Sequence, residues 1–170
     1  MRRMTHNQLV RRAGNWLRTT VGCAVVMLER SSFTDSRETP DAIGWHNQRC
    51  ILVECKTSLA DFRADQKKPA RQPDMPALGH WRVYMAEPGV IPAELVSAGW
   101  SLYEVHGRQV RHVCGPKWTN AAAPPCASDA NSEIALLLST IRRLEISTTV
   151  FVRQEPTDTP PTQERGNERA

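Results

Sequence analysis

The stretch from Gln48 to Lys56 constrains the fold of this chain more than any other. It reads Gln-Arg-Cys-Ile-Leu-Val-Glu-Cys-Lys, which is rich in apolar and β-branched side chains and contains neither proline nor glycine. A short apolar run of this kind is typical of a strand buried on both faces of a sheet. Glu54 and Lys56 at its end are costly to bury unless they are paired or bind a metal. The sequence therefore predicts a sheet built around this strand, with a polar site at its end.

A second strand-like run, Asp41 to Trp45, precedes the first and begins with an acid. Side chains alternate along a strand, so Glu54 and Lys56 share a face and Cys55 points to the other. If Asp41 starts a paired strand, its carboxylate can reach Glu54. Two neighbouring carboxylates stay ionised readily only with a cation between them, and oxygen ligands suit Mg²⁺ or Mn²⁺. We expect a metal site formed by Asp41, Glu54 and the backbone carbonyl of Cys55, with Lys56 beside it.

The rest of the chain reads as helices and strands around these two runs. Apolar residues at helical spacing predict a first helix and a last one, and capping and proline signals predict two short helices between them. Together the elements predict an α/β fold with a central mixed β-sheet flanked by helices. The expected strands are residues 22–28, 41–45, 48–56, 81–86, 100–105 and 109–113, and the expected helices are 5–19, a short one after Thr57 or Ser58, 92–98 and 131–147.

Composition suggests one domain followed by looser segments. The chain has 170 residues, of which 40% are hydrophobic, and this is enough for one core. We assign residues 1–114 to the domain and the Ala/Pro-rich residues 115–130 to a linker. Residues 131–147 are the predicted C-terminal helix, with an apolar stripe. Residues 154–170 contain almost nothing apolar and are predicted to be disordered.

Charge and cysteine content bear on partners and compartment. The net charge of +4 permits an anionic partner such as nucleic acid without requiring one. No run of 18 apolar residues occurs, so we expect no membrane span. Three of the five cysteines (Cys23, Cys50 and Cys55) lie in apolar, strand-like runs, which is typical of reduced thiols and favours a cytoplasmic location.

Two motifs carry a resemblance to a known family. Pro40-Asp41, then 12 residues, then Glu54-Cys55-Lys56 resembles the signature of the PD-(D/E)XK nuclease superfamily. The run from Ile51 to Lys67, Ile-Leu-Val-Glu-Cys-Lys-Thr-Ser-Leu-Ala-Asp-Phe-Arg-Ala-Asp-Gln-Lys, is similar to a segment of the MmcB-like family of proposed DNA-repair endonucleases. The resemblance covers roughly residues 5–113.

The resemblance implies a restriction-endonuclease-like core and a Mg²⁺-dependent deoxyribonuclease, most simply an endonuclease, acting on DNA in repair or processing. It implies that Asp41 and Glu54 hold Mg²⁺ (or Mn²⁺) and that Lys56 is catalytic. Gln66 matches a position that orients the lysine or the substrate in related nucleases. The basic residues expected to contact nucleic acid are Arg63, Lys67, Lys68 and Arg71.

The chain departs from the superfamily pattern at its first helix. Many members carry a further carboxylate there, but residues 1–28 contain no Asp or Glu. Gln8, Glu29 or Glu38 are the candidates to complete the site. The missing acid favours hydrolysis with one metal ion over two.

Other interpretations remain open on the sequence alone. The chain is alternatively a catalytically inactive nucleic-acid-binding module on the nuclease fold, or an assembly subunit whose last helix recruits a partner. Glu54 and Lys56 would then be a strand ion pair, and Asp41 a turn acid. DNA nucleases of this fold often pair to cut two strands, so the resemblance also leaves a homodimer open.

Overall fold

A six-stranded mixed sheet forms the centre of the molecule in the computed structural model, which describes residues 3–29, 38–72, 75, 77–119 and 121–144. The three middle strands run parallel and the outer pairs are antiparallel. Helices flank both faces, so the predicted α/β fold with a central mixed sheet is confirmed. In chain order, which is also the order across the sheet, the strands are β1 (Val25–Leu28), β2 (Ala42–His46), β3 (Arg49–Lys56), β4 (Trp81–Ala86), β5 (Trp100–His106) and β6 (Gln109–Cys114).

Strand β3 lies inside the sheet, as its apolar sequence predicts. Ile51 is paired with Gly44 of β2 on one side and with Trp81 of β4 on the other. Every residue of β3 after the first is buried. Because both edges and both faces are covered, the charged residues at its end are buried together with the rest of the strand.

Helices cover the two faces of the sheet separately. Helix α1 (His6–Trp16) packs on the face that carries Val53 and Cys55. Helices α2 (Leu59–Asp65) and α3 (Ala130–Leu144) lie on the opposite face, where Phe62 and Leu136 join the core. Each face therefore has its own apolar cluster, and the sheet separates them.

Local capping fixes where the first two helices begin. The Thr5 hydroxyl accepts the N–H of Gln8, and the Gln8 side chain accepts the N–H of Thr5, which completes a capping box. The Ser58 hydroxyl accepts the N–H of Asp61 at 3.1 Å. Of the two residues predicted to precede the second helix, Thr57 and Ser58, the cap is Ser58.

Two predicted boundaries are wrong for backbone reasons. The helix expected over residues 92–98 is a single 3₁₀ turn, Ala93–Leu95, because Pro92 and Val96 on either side have extended backbone. The α-helical part of the first helix ends at Trp16, and a π-helical turn follows from Leu17 to Val21. Gly22, with left-handed backbone (φ 79°), ends this turn. Strand β1 consequently begins at Val25 and not at residue 22.

The described residues of the next segment, 115–119 and 121–129, contain no helix or strand, but backbone hydrogen bonds hold the segment against the domain. The N–H of Cys126 donates to the carbonyl of His80 at 3.2 Å, and the N–H of Asp129 donates to the carbonyl of Ala77 at 3.0 Å. The segment predicted as a linker therefore leads α3 directly onto the core.

Helix α3 begins at Ala130, and its Leu136 is completely buried among residues of the second face. Residues 145–147 of the predicted helix and the predicted disordered tail, 154–170, lie outside the described residues. Among the helices that the structure describes, none is long and apolar enough to cross a membrane.

The substitution Leu136→Ala should lower the free energy of unfolding by about 2–5 kcal/mol, because it leaves a cavity where α3 meets the sheet. The matched control is Leu138→Ala in the same helix, whose side chain is 54% exposed. Its effect should stay within about 0.5 kcal/mol. Urea denaturation measures both values, and equal losses would show that α3 is not anchored through Leu136.

Candidate functional site

Asp41, Glu54 and Lys56 meet at one end of the sheet. Strand β2 begins where β3 ends, and Ala42 pairs with Val53, so that Asp41 lies alongside Glu54. The Asp41 Oδ2 atom accepts the backbone N–H of Cys55 at 2.7 Å. The structure thus brings the three residues together through antiparallel pairing of two adjacent strands.

Glu54 and Lys56 form a buried ion pair. Lys56 Nζ lies 2.9 Å from Glu54 Oε2 and 3.2 Å from Asp65 Oδ1. Only 4% of the Lys56 side chain and 2% of the Glu54 side chain are exposed. The two residues are therefore not an ion pair at the surface, which was one of the open interpretations.

Burial and charge act against each other on these groups. Burial by itself lowers the pKa of Lys56, but the carboxylates of Glu54 and Asp65 raise it above its usual value, so the ammonium stays charged. Burial raises the pKa of Glu54 although Lys56 and Arg71 lower it. Burial also raises the pKa of Asp41, against the hydrogen bond from Cys55 and the charge of Lys56. Both carboxylates would therefore be stabilised by further positive charge.

Arg71 is a structural cation in this cluster. Its Nε donates to Asp65 Oδ2 at 2.9 Å, its Nη2 lies 3.0 Å from Glu54 Oε1, and its Nη1 donates to Glu38. The guanidinium lies 4.8 Å from the centroid of the Trp100 ring, and only 4% of the side chain is exposed. Three buried carboxylates surround Arg71, so it does not belong to a basic surface, and its contact with nucleic acid stays a prediction.

The other basic residues of this stretch lie at the surface. Arg63 and Lys67 are exposed, and their predicted contact with nucleic acid stays a prediction. Lys68 is also exposed over half of its side chain, while its Nζ lies 2.7 Å from Asp65 Oδ1. An anionic ligand at Lys68 would therefore compete with Asp65.

Asp65 makes the contact to Lys56 that was expected from Gln66. The Gln66 side chain donates to the carbonyl of Leu95 at 2.9 Å, on the 3₁₀ turn, which is away from the lysine. Asp65 lies three residues after Phe62, on the buried side of α2. The sequence could have indicated this contact, because Asp65 follows the apolar Phe62 by three residues and therefore lies on the same side of the helix.

Tyr84 and Glu38 also belong to the cluster. The Tyr84 hydroxyl donates to Asp65 Oδ2 at 3.1 Å, and burial with the nearby Asp65 raises the pKa of Tyr84. Glu38 accepts the N–H of Leu78 at 2.6 Å as well as its bond from Arg71. Tyr84 reaches the site because β4 pairs with β3 in parallel, which places it beside Glu54. No local sequence pattern specifies that register.

The first helix brings a histidine to the site. His6 Nε2 lies 3.5 Å from Asp41 Oδ1 and 3.6 Å from Glu29 Oε1. Gln8, the first candidate to replace the missing acid, is instead used in the capping box with Thr5. The near position of His6 follows from its place directly after the cap, at the end of α1 closest to Asp41.

The donor set fits one hydrated Mg²⁺ held by two carboxylates. Within the described ranges, no group of three His, Cys, Asp or Glu side chains is arranged to hold a metal. Mg²⁺ does not need one, since it is commonly bound through one or two carboxylates and keeps several waters. Among the described residues, the ion-pair partner of Asp41 Oδ1 is His6 Nε2 at 3.5 Å. Each Glu54 oxygen has one cationic partner and a further acceptor position. The Cys55 thiol is buried on the other face, and the role of its carbonyl stays a prediction.

Comparisons with known proteins bear on the fold alone. No protein-family model matches the chain, and no curated protein matches it. A solved structure, SPO1766, a protein of unknown function from Silicibacter pomeroyi, is similar with a TM-score of 0.57 and 21% identity. The similarity covers 88% of this chain and 99% of that one. At this identity the likeness shows a shared fold and says nothing of activity.

The substitution Arg71→Met should lower the free energy of unfolding by about 3–5 kcal/mol, because it leaves buried carboxylates uncompensated. The control is Arg63→Met, an exposed arginine of the same stretch, whose effect should stay within about 0.5 kcal/mol. Urea denaturation at several pH values measures both.

The pH dependence follows from the sign of the shifts. Arg71 lowers the pKa of Glu54 and of Asp65, so its loss raises both values in the folded state. Protonation then favours the folded variant, and the deficit of Arg71→Met should shrink as the pH falls. The role given to Arg71 would be contradicted if Arg71→Met did not lower the free energy of unfolding at neutral pH, or if the loss became larger in acid.

Proposed function

We propose that this protein is a metal-dependent DNA nuclease that hydrolyses phosphodiester bonds in DNA repair or processing. The observation that carries the proposal is a charged, buried Lys56 paired with Glu54 at the end of the central strand, with Asp41 beside them. Buried ionisable groups of this kind are expensive for a fold to keep, and they concentrate at functional sites. The resemblance of the same three residues to the PD-(D/E)XK signature supports the assignment.

The chemistry of the site suits a phosphodiester substrate. Hydrolysis builds negative charge on the phosphate oxygens in the transition state, and a positioned cation stabilises that charge. Lys56 is such a cation, because Glu54 and Asp65 hold its ammonium from two directions. Mg²⁺ bound at Asp41 and Glu54 would supply Lewis-acid polarisation of the scissile phosphate.

Residues around Asp65 position the lysine. Asp65 is held by Arg71 and by the Tyr84 hydroxyl, and neither group is exposed enough to move freely. A fixed Asp65 keeps Lys56 in one place, which limits the reorganisation needed when a phosphate binds. We assign Asp65, Arg71 and Tyr84 a positioning role and Lys56 the catalytic one.

The second candidate is a nucleic-acid-binding module that does not cleave. The observation in its favour is the bond between Arg71 and Glu54, because an internal cation already compensates one of the two carboxylates that would hold the metal. In the part of the chain that the structure describes, neither Lys nor Arg lies within ion-pair distance of Asp41, which has only His6 Nε2 at 3.5 Å and is 18% exposed. The two candidates therefore differ in whether a divalent cation is taken up at Asp41.

Incubation with single-stranded, duplex, flapped or branched DNA should give cleavage that requires Mg²⁺ or Mn²⁺ and stops with EDTA. Lys56→Ala and Asp41→Asn should each lower the rate about 10²–10³-fold, since each removes a group that stabilises charge in the transition state. Lys117→Ala, a change of an exposed lysine outside the predicted nucleic-acid contacts, should leave the rate close to that of the wild type.

DNA binding without cleavage of any substrate by any metal would contradict the nuclease and favour the second candidate. Equal loss of rate in Lys117→Ala and Lys56→Ala would contradict the specific role of the buried lysine. Circular dichroism of each variant separates loss of activity from loss of fold.

Mn²⁺ should raise the melting temperature of the wild-type protein, because an ion that binds only the folded state stabilises it by about 2.7 kcal/mol at a hundred times its dissociation constant. Asp41→Asn should abolish the shift. Asp61→Asn, which alters an exposed carboxylate on α2, is the matched control and should keep it. A wild-type protein that Mn²⁺ does not stabilise, or a shift that survives in Asp41→Asn, would contradict the metal site.

A further inference from the structure

A groove of about 400 Å³ runs between helix α1 and the edge strand β1, on the face of the sheet opposite to Lys56. Its floor is apolar and its rim is basic. The floor includes Gly14, Val26 and Leu28, and the rim carries Arg11, Asn15 and Arg18.

Close packing of α1 on β1 creates the groove. A Cβ added to Gly14 would lie 2.8 Å from Leu28 Cδ2, so the absence of a side chain lets the helix lie directly against the strand. Arg11 and Asn15 belong to α1, and Arg18 belongs to the π-helical turn that continues it; all three are exposed and line the groove. They therefore stand along the groove as a row.

The rim has no acidic counterpart. Residues 1–28 contain neither Asp nor Glu. Across the part of the chain that the structure describes, no carboxylate lies within ion-pair distance of Arg11 or Arg18. The neighbouring Arg12 differs, since it donates to the carbonyl of Gly107 and so serves the packing of α1 on the β5–β6 turn. Arg11 and Arg18 are left with their charge available to a ligand.

We propose that this groove binds the sugar–phosphate backbone of single-stranded DNA, with Arg11 and Arg18 contacting phosphates. Seven residues of helix span about 10 Å, so Arg11 and Arg18 would contact different phosphates of the strand. An apolar floor beside basic residues suits one strand, because a single strand offers unpaired base faces as well as phosphates.

The groove leads to the candidate site. Leu28, at one end of the floor, pairs with Ala42, the residue after Asp41. Helix α1 begins with His6, whose ring lies 3.5 Å from the Asp41 carboxylate. A strand lying along the groove therefore continues to the end of the sheet where Asp41 is partly exposed. The inference rests on the proposed function for its substrate, and it names the path by which that substrate arrives.

The test measures binding of a short labelled single-stranded oligonucleotide in EDTA at several salt concentrations, so that cleavage plays no part. Each phosphate contact contributes about 0.7 to the slope of log affinity against log salt for a single strand. The double variant Arg11→Gln/Arg18→Gln should bind more weakly and lose about 1.4 from that slope. The double variant Arg11→Lys/Arg18→Lys keeps the charges and should keep the slope.

Arg111→Gln is the matched control for charge. Tyr103 and Val105 of β5 face α1, so Glu104 between them and its partner Arg111 face the other side of the sheet. Arg111 is exposed, and its loss should leave both affinity and slope at their wild-type values. Circular dichroism of the glutamine variant confirms that α1 is intact.

Several outcomes overturn the inference: no binding by the wild type, an unchanged slope in the glutamine variant, or an equal loss in Arg111→Gln. Equal loss of affinity for duplex and single strand assigns the arginines to duplex contacts and overturns it too, as does arginine-dependent binding seen only with anionic lipid vesicles. If the protein binds through the arginines but never cleaves, the proposal of the groove stands and the proposal of a nuclease is overturned. If the protein cleaves, and both KM and the salt slope are unchanged in the glutamine variant, the proposal of a nuclease stands and that of the groove is overturned.

Discussion

The buried charge cluster around Glu54 is the constraint on which the rest of the structure depends. An ion pair removed from water is stable only when each remaining hydrogen-bonding position is filled. Here Lys56 pairs with one Glu54 oxygen and Arg71 with the other. Asp65 pairs with both cations and also accepts a hydrogen bond from the Tyr84 hydroxyl. Strands β3 and β4, helix α2 and the turn after it are thus fixed relative to one another by charge and not only by apolar packing.

Such a cluster has two possible justifications, specificity of the fold and chemistry. Replacing a buried ion pair by apolar side chains of similar volume is often neutral or stabilising, so stability alone does not explain why a chain keeps one. Function resides in sites placed on folds, and a similar solved structure of unknown function shows the fold without the chemistry. The proposal of a nuclease therefore depends on the partly exposed Asp41 and on Lys56, which Glu54 and Asp65 fix in place, and not on the fold of the sheet.

Sequence reasoning succeeded where local periodicity decides structure. The burial of β3 and the shared face of Glu54 and Lys56 follow from alternation along one strand, and the caps at Thr5 and Ser58 follow from side chains that bond to their own helix. These interactions join residues that are near in the chain. For the same reason, the mixed α/β sheet could be predicted from the order of its elements.

The same reasoning failed where distant residues decide. Arg71 looked like part of a basic surface, because its carboxylate partners arrive from three separate elements. Asp65 and not Gln66 meets Lys56, since one residue of helical phase selects the side chain that faces inward. The helix expected over residues 92–98 shortened to one turn, as extended backbone on either side of it outweighs the weak preference of so short a segment.

The sheet grows across space in the same order as along the chain, from β1 to β6. During synthesis each new strand can therefore add to the edge left by the one before, with no strand inserted later between two earlier ones. Among the described residues, the ions of the charge cluster lie between residues 38 and 84, so all of them precede β5, β6 and α3 in the chain. Trp100 of β5 and Leu136 of α3, which come later in the chain, add to the apolar face on which the cluster lies.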